Sequence, residues 1–124
     1  MLINNCMPAN SETILSQQNH PGDSTTETIT SEKFKGDGYY GRSDGFHTVQ
    51  YNLTGFIGTV TIQATLAIDP ADTDWFTVYT KDYPEINGEP NTINNLTNFI
   101  GNYVWIRAVI NYTDGTINSI ILNH

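Results

Sequence analysis

Residues 59–68 read TVTIQATLAI, and this stretch decides the fold class. Its large or small apolar residues stand at every second position: Val60, Ile62, Ala64, Leu66 and Ile68. A strict period of two predicts a half-buried β-strand, with the apolar side chains inward and Thr and Gln outward. An amphipathic helix would instead repeat its apolar residues every three or four positions.

The same periodicity continues on both sides of this stretch. From His47 to Leu53, every second residue faces one side, and Trp75–Thr80 predicts a further strand. Residues 103–112 are apolar on both faces, which predicts a central strand or one covered by a partner subunit. Asp114 and Gly115 form the dipeptide typical of a tight hairpin, here leading into a last strand over 117–122.

Composition supports an all-β protein. Fifty of the 124 residues are β-branched or aromatic, whereas Leu and Ala together number only 11. Such side chains lose rotamer freedom in helices and pack well on pleated surfaces. Short strands separated by turn signals predict an antiparallel two-sheet β-sandwich, jelly-roll-like, over residues 34–124.

An internal repeat relates NLTGFIG at residues 52–58 to NLTNFIG at residues 95–101. The repeat predicts equivalent strands at 59–68 and 104–112, each preceded by a buried phenylalanine, Phe56 or Phe99. One extra residue follows the second copy. Because an inserted residue would reverse the side-chain alternation, we expect a β-bulge near Asn102–Tyr103.

Charge excludes several classes of partner. The chain has 5 Lys+Arg and 13 Asp+Glu, a net charge of −8. A phosphate backbone or an anionic membrane attracts a basic stripe, so we expect no nucleic-acid and no membrane partner. No spanning segment or signal peptide is evident. The single cysteine, Cys6, cannot form an internal disulfide.

Residues 1–33 predict an extended polar N-terminal arm. Short strands are expected at 13–16 and 27–30, but the stretch has too few large apolar residues to fold as a unit. We expect the arm to be ordered only by a neighbouring subunit or capsid protein, with Ile14, Leu15 and Ile29 inserted into that partner. The alternative is a terminus that never orders.

A second candidate for partner binding is the glycine-rich segment 36–45, which contains Tyr39 and Tyr40. Paired tyrosines on such a loop could stack on a sugar or fill a pocket of a partner, and one could instead close the end of the core. Trp105, on the second apolar face of the central strand, is the remaining partner-binding candidate.

Motifs for catalysis or cofactor binding are absent from the sequence. The three histidines stand at unrelated spacings, and no phosphate loop, nucleophile elbow or dinucleotide fingerprint occurs. Asp69, Asp72 and Asp74 could supply oxygen ligands to Ca²⁺, but the loop lacks the central Gly and terminal Glu of a calcium loop, and a solvated turn is the competing interpretation. We therefore expect no enzyme activity, no cofactor and no bound metal.

The domain resembles small virion structural proteins of tailed phages, especially those that infect marine cyanobacteria. The resemblance covers residues 36–124 and rests on DGYYG (37–41), DGFHTVQ (44–50), FIGTVTIQATL (56–66), DWF (74–76), GNYVWIRA (101–108) and GTIN (115–118). These are mostly core and turn residues, so the resemblance implies a non-enzymatic particle component, and no catalytic or ligand residue is carried over from it.

Two functions follow as hypotheses. The first is a non-enzymatic virion subunit, such as a capsid decoration or cement protein. It would be assembled in the host cytoplasm as a homo-oligomer, with a trimer as one option, on capsid or other virion proteins. The second is a carbohydrate-binding module of a tail or fibre that contacts host glycans. Its support is the set of aromatic residues in or beside loops: Tyr39, Tyr40, Trp75 and Tyr83.

Overall fold

The computed structural model describes residues 11–41, 44–85 and 91–124. These residues form an all-β protein, as predicted. Its strands are β1 (Ser11–Leu15), β2 (Gln18–Asn19), β3 (Glu27–Thr30), β4 (Phe34–Lys35), β5 (Phe46–Thr65), β6 (Phe76–Tyr83), β7 (Asn91–Ile100) and β8 (Trp105–Asn123). Short 3-10 helices lie at Asp37–Tyr40 and Asp72–Asp74. None of the helices in the described ranges has the length and apolarity needed to cross a bilayer.

Two long strands, β5 and β8, make up the centre of the fold. They pair antiparallel over almost their full length, from Thr48 opposite Asn123 to Thr65 opposite Trp105. The predicted alternation is confirmed within them, because every second residue is buried: Val49, Tyr51, Leu53, Val60, Ile62, Ala64, Ile106, Ala108 and Ile110. The core therefore forms on one face of this ladder.

The alternation ends earlier than the sequence predicts. Leu66 and Ile68 continue the pattern, but β5 ends at Thr65 and their side chains are 68% and 84% exposed. The chain leaves the ladder here, and the backbone N–H of Ala67 is bound by the Thr65 hydroxyl instead of a neighbouring strand. The apolar period alone carries no information about where a strand loses its partner.

The outer edge of β8 is occupied by the N-terminal segment. Strands β1 to β4 pair with β8 one after another, from Ser11 opposite Asn123 to Lys35 opposite Trp105. For residues 11–33, the expectation that a neighbouring subunit alone orders the arm is therefore corrected; residues 1–10 of the predicted arm lie outside the described residues. An unpaired edge of β8 would leave a row of backbone donors and acceptors exposed, and the arm supplies their partners within the same chain.

On its other side, β5 pairs with two strands in succession. Its first half pairs with β7 and its second half with β6, both antiparallel. Hydrogen bonds thus link all eight strands of the described residues into one antiparallel sheet. The two-sheet, jelly-roll-like order and the domain boundary at residue 33 stay predictions.

The predicted hairpin at Asp114–Gly115 is wrong. Strand β8 runs through this dipeptide without turning back. Gly115 does have a positive φ, +109°, and a Cβ there would lie 2.7 Å from the carbonyl oxygen of Gly55. The pairing register shifts between Thr54 and Ile57, opposite this point. The dipeptide therefore lies at an irregularity in the long β5–β8 ladder and not in a turn.

The internal repeat places its two strands side by side. Residues 59–65 of β5 pair directly with residues 105–111 of β8. Phe56 is fully buried as predicted, whereas Phe99 is partly buried against the core. The expected bulge at Asn102–Tyr103 is wrong, because both residues precede β8 and the extra residue is accommodated in the connection.

Candidate functional site

Alternation along β8 presents a row of side chains on the face opposite the core. Ile106 and Ala108 point into the core, so Trp105 and Arg107 project from the other face. Lys35 is the direct cross-strand partner of Trp105 on β4. Arg107 lies opposite Gln63 of β5, and its Nε–H donates to the Gln63 amide oxygen at 2.8 Å.

The 3-10 helix at Asp37–Tyr40 adds two tyrosines to this row. The Tyr39 ring centroid lies 5.2 Å from that of Trp105 and 5.5 Å from that of Tyr40. Tyr39 and Tyr40 remain 46% and 49% exposed. Gly38 permits this placement, because a Cβ at that position would overlap the carbonyl oxygen of Asn102.

Three cations lie over three of the rings. The Nζ atoms of Lys33 and Lys35 are 4.9 Å and 4.6 Å from the ring centroids of Trp105 and Tyr39, respectively. The guanidinium carbon of Arg107 is 4.4 Å from the Trp75 ring. These are cation–π distances. We call the set the aromatic–cation surface; it comprises Lys33, Lys35, Tyr39, Tyr40, Trp75, Trp105 and Arg107.

One hydrogen bond and one loose ion pair connect residues of this surface to the rest of the chain. The Trp105 indole Nε1–H donates to the carbonyl oxygen of Ile68 at 2.9 Å. Asp72, whose side chain is fully exposed, lies 3.9 Å from Nη1 of Arg107. The surface is thus assembled from four separate stretches of chain around the start of β8. It offers ring faces together with positively charged donors.

A buried polar cluster of His47, Asp37 and His124 anchors the 3-10 helix at Asp37–Tyr40 to the strands. Nδ1 of His124 lies 2.8 Å from the Asp37 carboxylate, and both side chains are almost fully buried. The Asp37 backbone N–H donates to Nε2 of His47 at 3.1 Å, and His47 Nδ1 donates to the Gly45 carbonyl. Burial lowers the pKa of the His47 imidazole, and only the neutral ring can accept the Asp37 N–H. The Tyr40 ring stacks on His124 at 5.7 Å.

Sequence reasoning missed this cluster. His47 and His124 stand 77 positions apart, yet their ring centroids lie 5.7 Å from each other. The only sequence signal was the position of His47 on the apolar face of its strand. Pairing of Thr48 with Asn123 brings the end of β8 beside the start of β5, and no local spacing reveals that.

A cleft of about 470 Å³ lies between the end of β5 and the start of β6. Leu66, Phe76 and Tyr103 line it together with Asp74, and Phe76 is 68% exposed. Trp75 of the aromatic–cation surface lies between two of the lining residues, Asp74 and Phe76, in the sequence.

The predicted partner-binding residues divide into two groups. Tyr39, Tyr40 and Trp105 come together on the aromatic–cation surface. Ile14 and Leu15 are buried in the core of their own chain, and Ile29 packs against that core, so these three are corrected from partner anchors to core residues.

Two further sequence-based candidates have different outcomes. Tyr83 belongs to a polar cluster with Tyr51 and is not part of the aromatic–cation surface. Asp69, Asp72 and Asp74 do not gather: within the described ranges no group of three acidic, His or Cys side chains could hold a metal ion. Asp74 instead accepts the backbone N–H of Ala71 at 2.7 Å, which closes a turn.

Neither a family model nor a curated protein matches the chain. Among solved structures, it is similar to a family 29 carbohydrate-binding module from Piromyces equi (10% identity, 95% of this chain and 93% of that chain, TM-score 0.47). It is also similar to the K1 cleaved adhesin domain of Lys-gingipain from Porphyromonas gingivalis (8%, 94% and 89%, TM-score 0.44). A third is the module CBM6cm-2 from Cellvibrio mixtus lichenase 5A in complex with cellotriose (16%, 95% and 98%, TM-score 0.41). Since each TM-score is below 0.5, these similarities assign no function to this chain.

Proposed function

We propose that the protein is a non-enzymatic carbohydrate-binding module whose ligand lies on the aromatic–cation surface. The supporting observation is the cluster Tyr40–Tyr39–Trp105, in which neighbouring ring centroids are 5.5 Å and 5.2 Å apart and the ring planes are inclined by 78° and 57°. Aromatic faces pack against the apolar C–H face of a sugar, and nearby donors bind its hydroxyl groups. Both tryptophans of the chain belong to this surface.

Rigidity of the underlying scaffold favours a binding role. Trp105 and Arg107 lie on the central strand β8, whose inward residues Ile106 and Ala108 are fully buried. Residues on packed strands hold their geometry better than residues on free loops. Little ordering cost then opposes ligand binding at Trp105 and Arg107.

We also propose that the two halves of the β5–β8 ladder stack face to face as the layers of a β-sandwich. Tyr51 lies on the half that pairs with β7, whereas Tyr79 and Tyr83 lie on β6, which pairs with the other half. Their hydroxyl groups are 2.7 Å and 2.5 Å from that of Tyr51. These bonds support two layers around one core, with the aromatic–cation surface on an outer face.

A glycan array probed with the full chain tests the binding proposal. Wild type is expected to bind a defined subset of glycans, and Tyr39→Ala and Tyr40→Ala are expected to lose about tenfold or more in affinity for them. Leu96→Ala is the matched control, because Leu96 is 61% exposed on β7, away from this surface. Retained binding in both tyrosine variants, or binding to no glycan at all, contradicts the proposal.

The second candidate is a phage virion subunit. It is favoured by exposed apolar side chains on the β5–β7 pair: Phe46 pairs with Ile100, Leu96 lies four residues before Ile100 on β7, and all three are 60–65% exposed. Exposed apolar patches of this kind are typical of assembly interfaces. A homo-oligomer in solution that Ile100→Asp dissociates, and many copies in purified particles, are expected. A monomer at all concentrations that is absent from particles contradicts this candidate.

A further inference from the structure

The positive charge of the chain is unevenly distributed. Against 13 Asp+Glu, the sequence has only 5 Lys+Arg. Of the four that lie in the described ranges, Lys33, Lys35 and Arg107 belong to the aromatic–cation surface, and Lys81 lies on β6. A neutral sugar needs hydrogen-bond donors and acceptors, not a concentration of cations.

We propose that the aromatic–cation surface recognises an anionic sugar, one that carries a carboxylate or a sulfate group. This inference rests on the carbohydrate-binding function proposed above. Each ammonium group lies within 5 Å of a ring centroid, Lys33 at Trp105 and Lys35 at Tyr39. A sugar ring stacked beside these aromatic residues therefore brings its acidic substituent within reach of a cation.

Arg107 provides a third contact for the anion. Its Nε–H is already bound to Gln63, which fixes the plane of the guanidinium group. Its Nη1 lies 3.9 Å from the exposed carboxylate of Asp72, which is a loose pairing. An anionic substituent can replace Asp72 at this position, since exposed ion pairs are held weakly. Arginine favours carboxylate and sulfate-like groups because its donors match their planar or tripodal oxygens.

A single-stranded nucleic acid is the competing ligand class, because it also combines base stacking with cation contacts. The net charge of −8 opposes it. A nucleic acid several nucleotides long would place many phosphates near the acidic side chains outside this surface, which would repel them. A single anionic substituent on a sugar would contact the cations of the surface without approaching those acidic side chains. The surface therefore fits an isolated anionic sugar better than a polyanion.

Matched oligosaccharide pairs test the proposal by calorimetry on the full chain. One pair is tetragalacturonate and its methyl ester; the other is a sulfated galactan tetrasaccharide and its unsulfated form. The acidic member of at least one pair is expected to bind about tenfold more tightly than its neutral partner. Its affinity should fall severalfold between about 50 mM and about 250 mM NaCl. The pair that responds identifies carboxylate or sulfate as the preferred group.

Variants connect the preference to the named residues. In the variant that combines Lys33→Gln with Lys35→Gln, the ratio of acidic to neutral affinity is expected to fall severalfold. Lys81→Gln, the matched control on β6, should change neither affinity. Asp72→Asn should strengthen acidic binding, because it removes the carboxylate that competes for Arg107. Thermal melts of all variants verify that each is folded.

Each other outcome has a defined meaning. Equal, salt-independent binding of acidic and neutral members overturns the anionic preference but leaves carbohydrate binding standing. No binding of either pair, together with an empty glycan array, overturns both proposals. Tighter binding of a short oligothymidylate than of any sugar identifies a nucleic-acid site and also overturns the inference.

Discussion

At the residue scale, two buried tyrosines, Tyr51 and Tyr112, differ in whether their hydroxyl groups have hydrogen-bond partners. The Tyr51 hydroxyl contacts those of Tyr79 and Tyr83 and accepts a bond from the Asn95 side-chain amide at 2.9 Å. Burial, with the neighbouring hydroxyls, raises the pKa of Tyr51 far above its usual value. Tyr51→Phe should lower the free energy of unfolding by about 1–3 kcal/mol, measured by urea denaturation, because its partners lose their bonds.

Tyr112 is the matched comparison. It is as deeply buried as Tyr51, but its hydroxyl has no hydrogen-bond partner within the described ranges. Removing an unpartnered buried hydroxyl relieves a desolvation cost, so Tyr112→Phe should leave stability unchanged or raise it by about 1 kcal/mol. A loss in Tyr112→Phe as large as that in Tyr51→Phe contradicts this account of the core.

His47 predicts how stability depends on pH. Burial lowers the pKa of its imidazole below the value of 6.5 that holds in the unfolded chain, although the hydrogen bond to the Gly45 carbonyl and the charges of Asp37 and Asp44 oppose this. The unfolded state therefore binds more protons as the pH falls below about 6.5, and stability that is present above this pH is lost. The free energy of unfolding of wild type should decline from about pH 7 to about pH 5 more steeply than that of His47→Gln. Equal slopes contradict the prediction.

At the element scale, the N-terminal strands belong to the folding unit. Ile14 and Leu15 on β1 are 4% and 8% exposed within the core cluster. Ile14→Ala should cost about 2–5 kcal/mol in the isolated chain. Ser16→Ala, at an exposed neighbouring position, should cost almost nothing. If Ile14 served only a partner subunit, the Ile14→Ala chain would melt like wild type.

The irregularity in the β5–β8 ladder gives a second prediction at this scale. Gly115 has φ +109°, and a Cβ would lie 2.7 Å from Phe56 Cα. Gly55 also has a positive φ, +62°, but a Cβ there meets no atom within 4 Å. Gly115→Ala should therefore cost about 3 kcal/mol or more and Gly55→Ala only about 1 kcal/mol in thermal or urea unfolding. Equal costs contradict the close approach of the two strands.

These elements show what local sequence can predict. Alternation predicted which residues of β5 and β8 are buried, because a strand has only two faces. Asp114–Gly115 predicted a positive φ but not whether the chain turns back there, since a bulge and a hairpin both favour a glycine with positive φ. The prediction for the arm was wrong because it rested on the arm's composition alone and did not consider the backbone edge of β8, with which residues 11–35 pair.

At the scale of the whole molecule, the candidate site depends on topology. Tyr39, Tyr40 and Trp105 were each recognisable as candidates, but nothing in the sequence placed residue 39 beside residue 105. The pairing of β4 with the start of β8 does so, and it brings Lys33 and Lys35 with it. Strand β5 pairs with β8 on one side and with β6 on the other, and Trp75 directly precedes β6. The Arg107 side chain on β8 reaches across β5 to the Trp75 ring.

The most direct test of the binding surface is a nitrogen-15 NMR titration of the full chain with the glycan that the array ranks first. The chain has two tryptophans, Trp75 and Trp105, so it gives two indole N–H resonances, and both report on the aromatic–cation surface. We expect the indole resonances to shift in a saturable manner, together with amides near Tyr39 and Tyr40, while amides of β7 stay unchanged. Shifts confined to β7, or no indole shift at a saturating glycan concentration, would contradict the account.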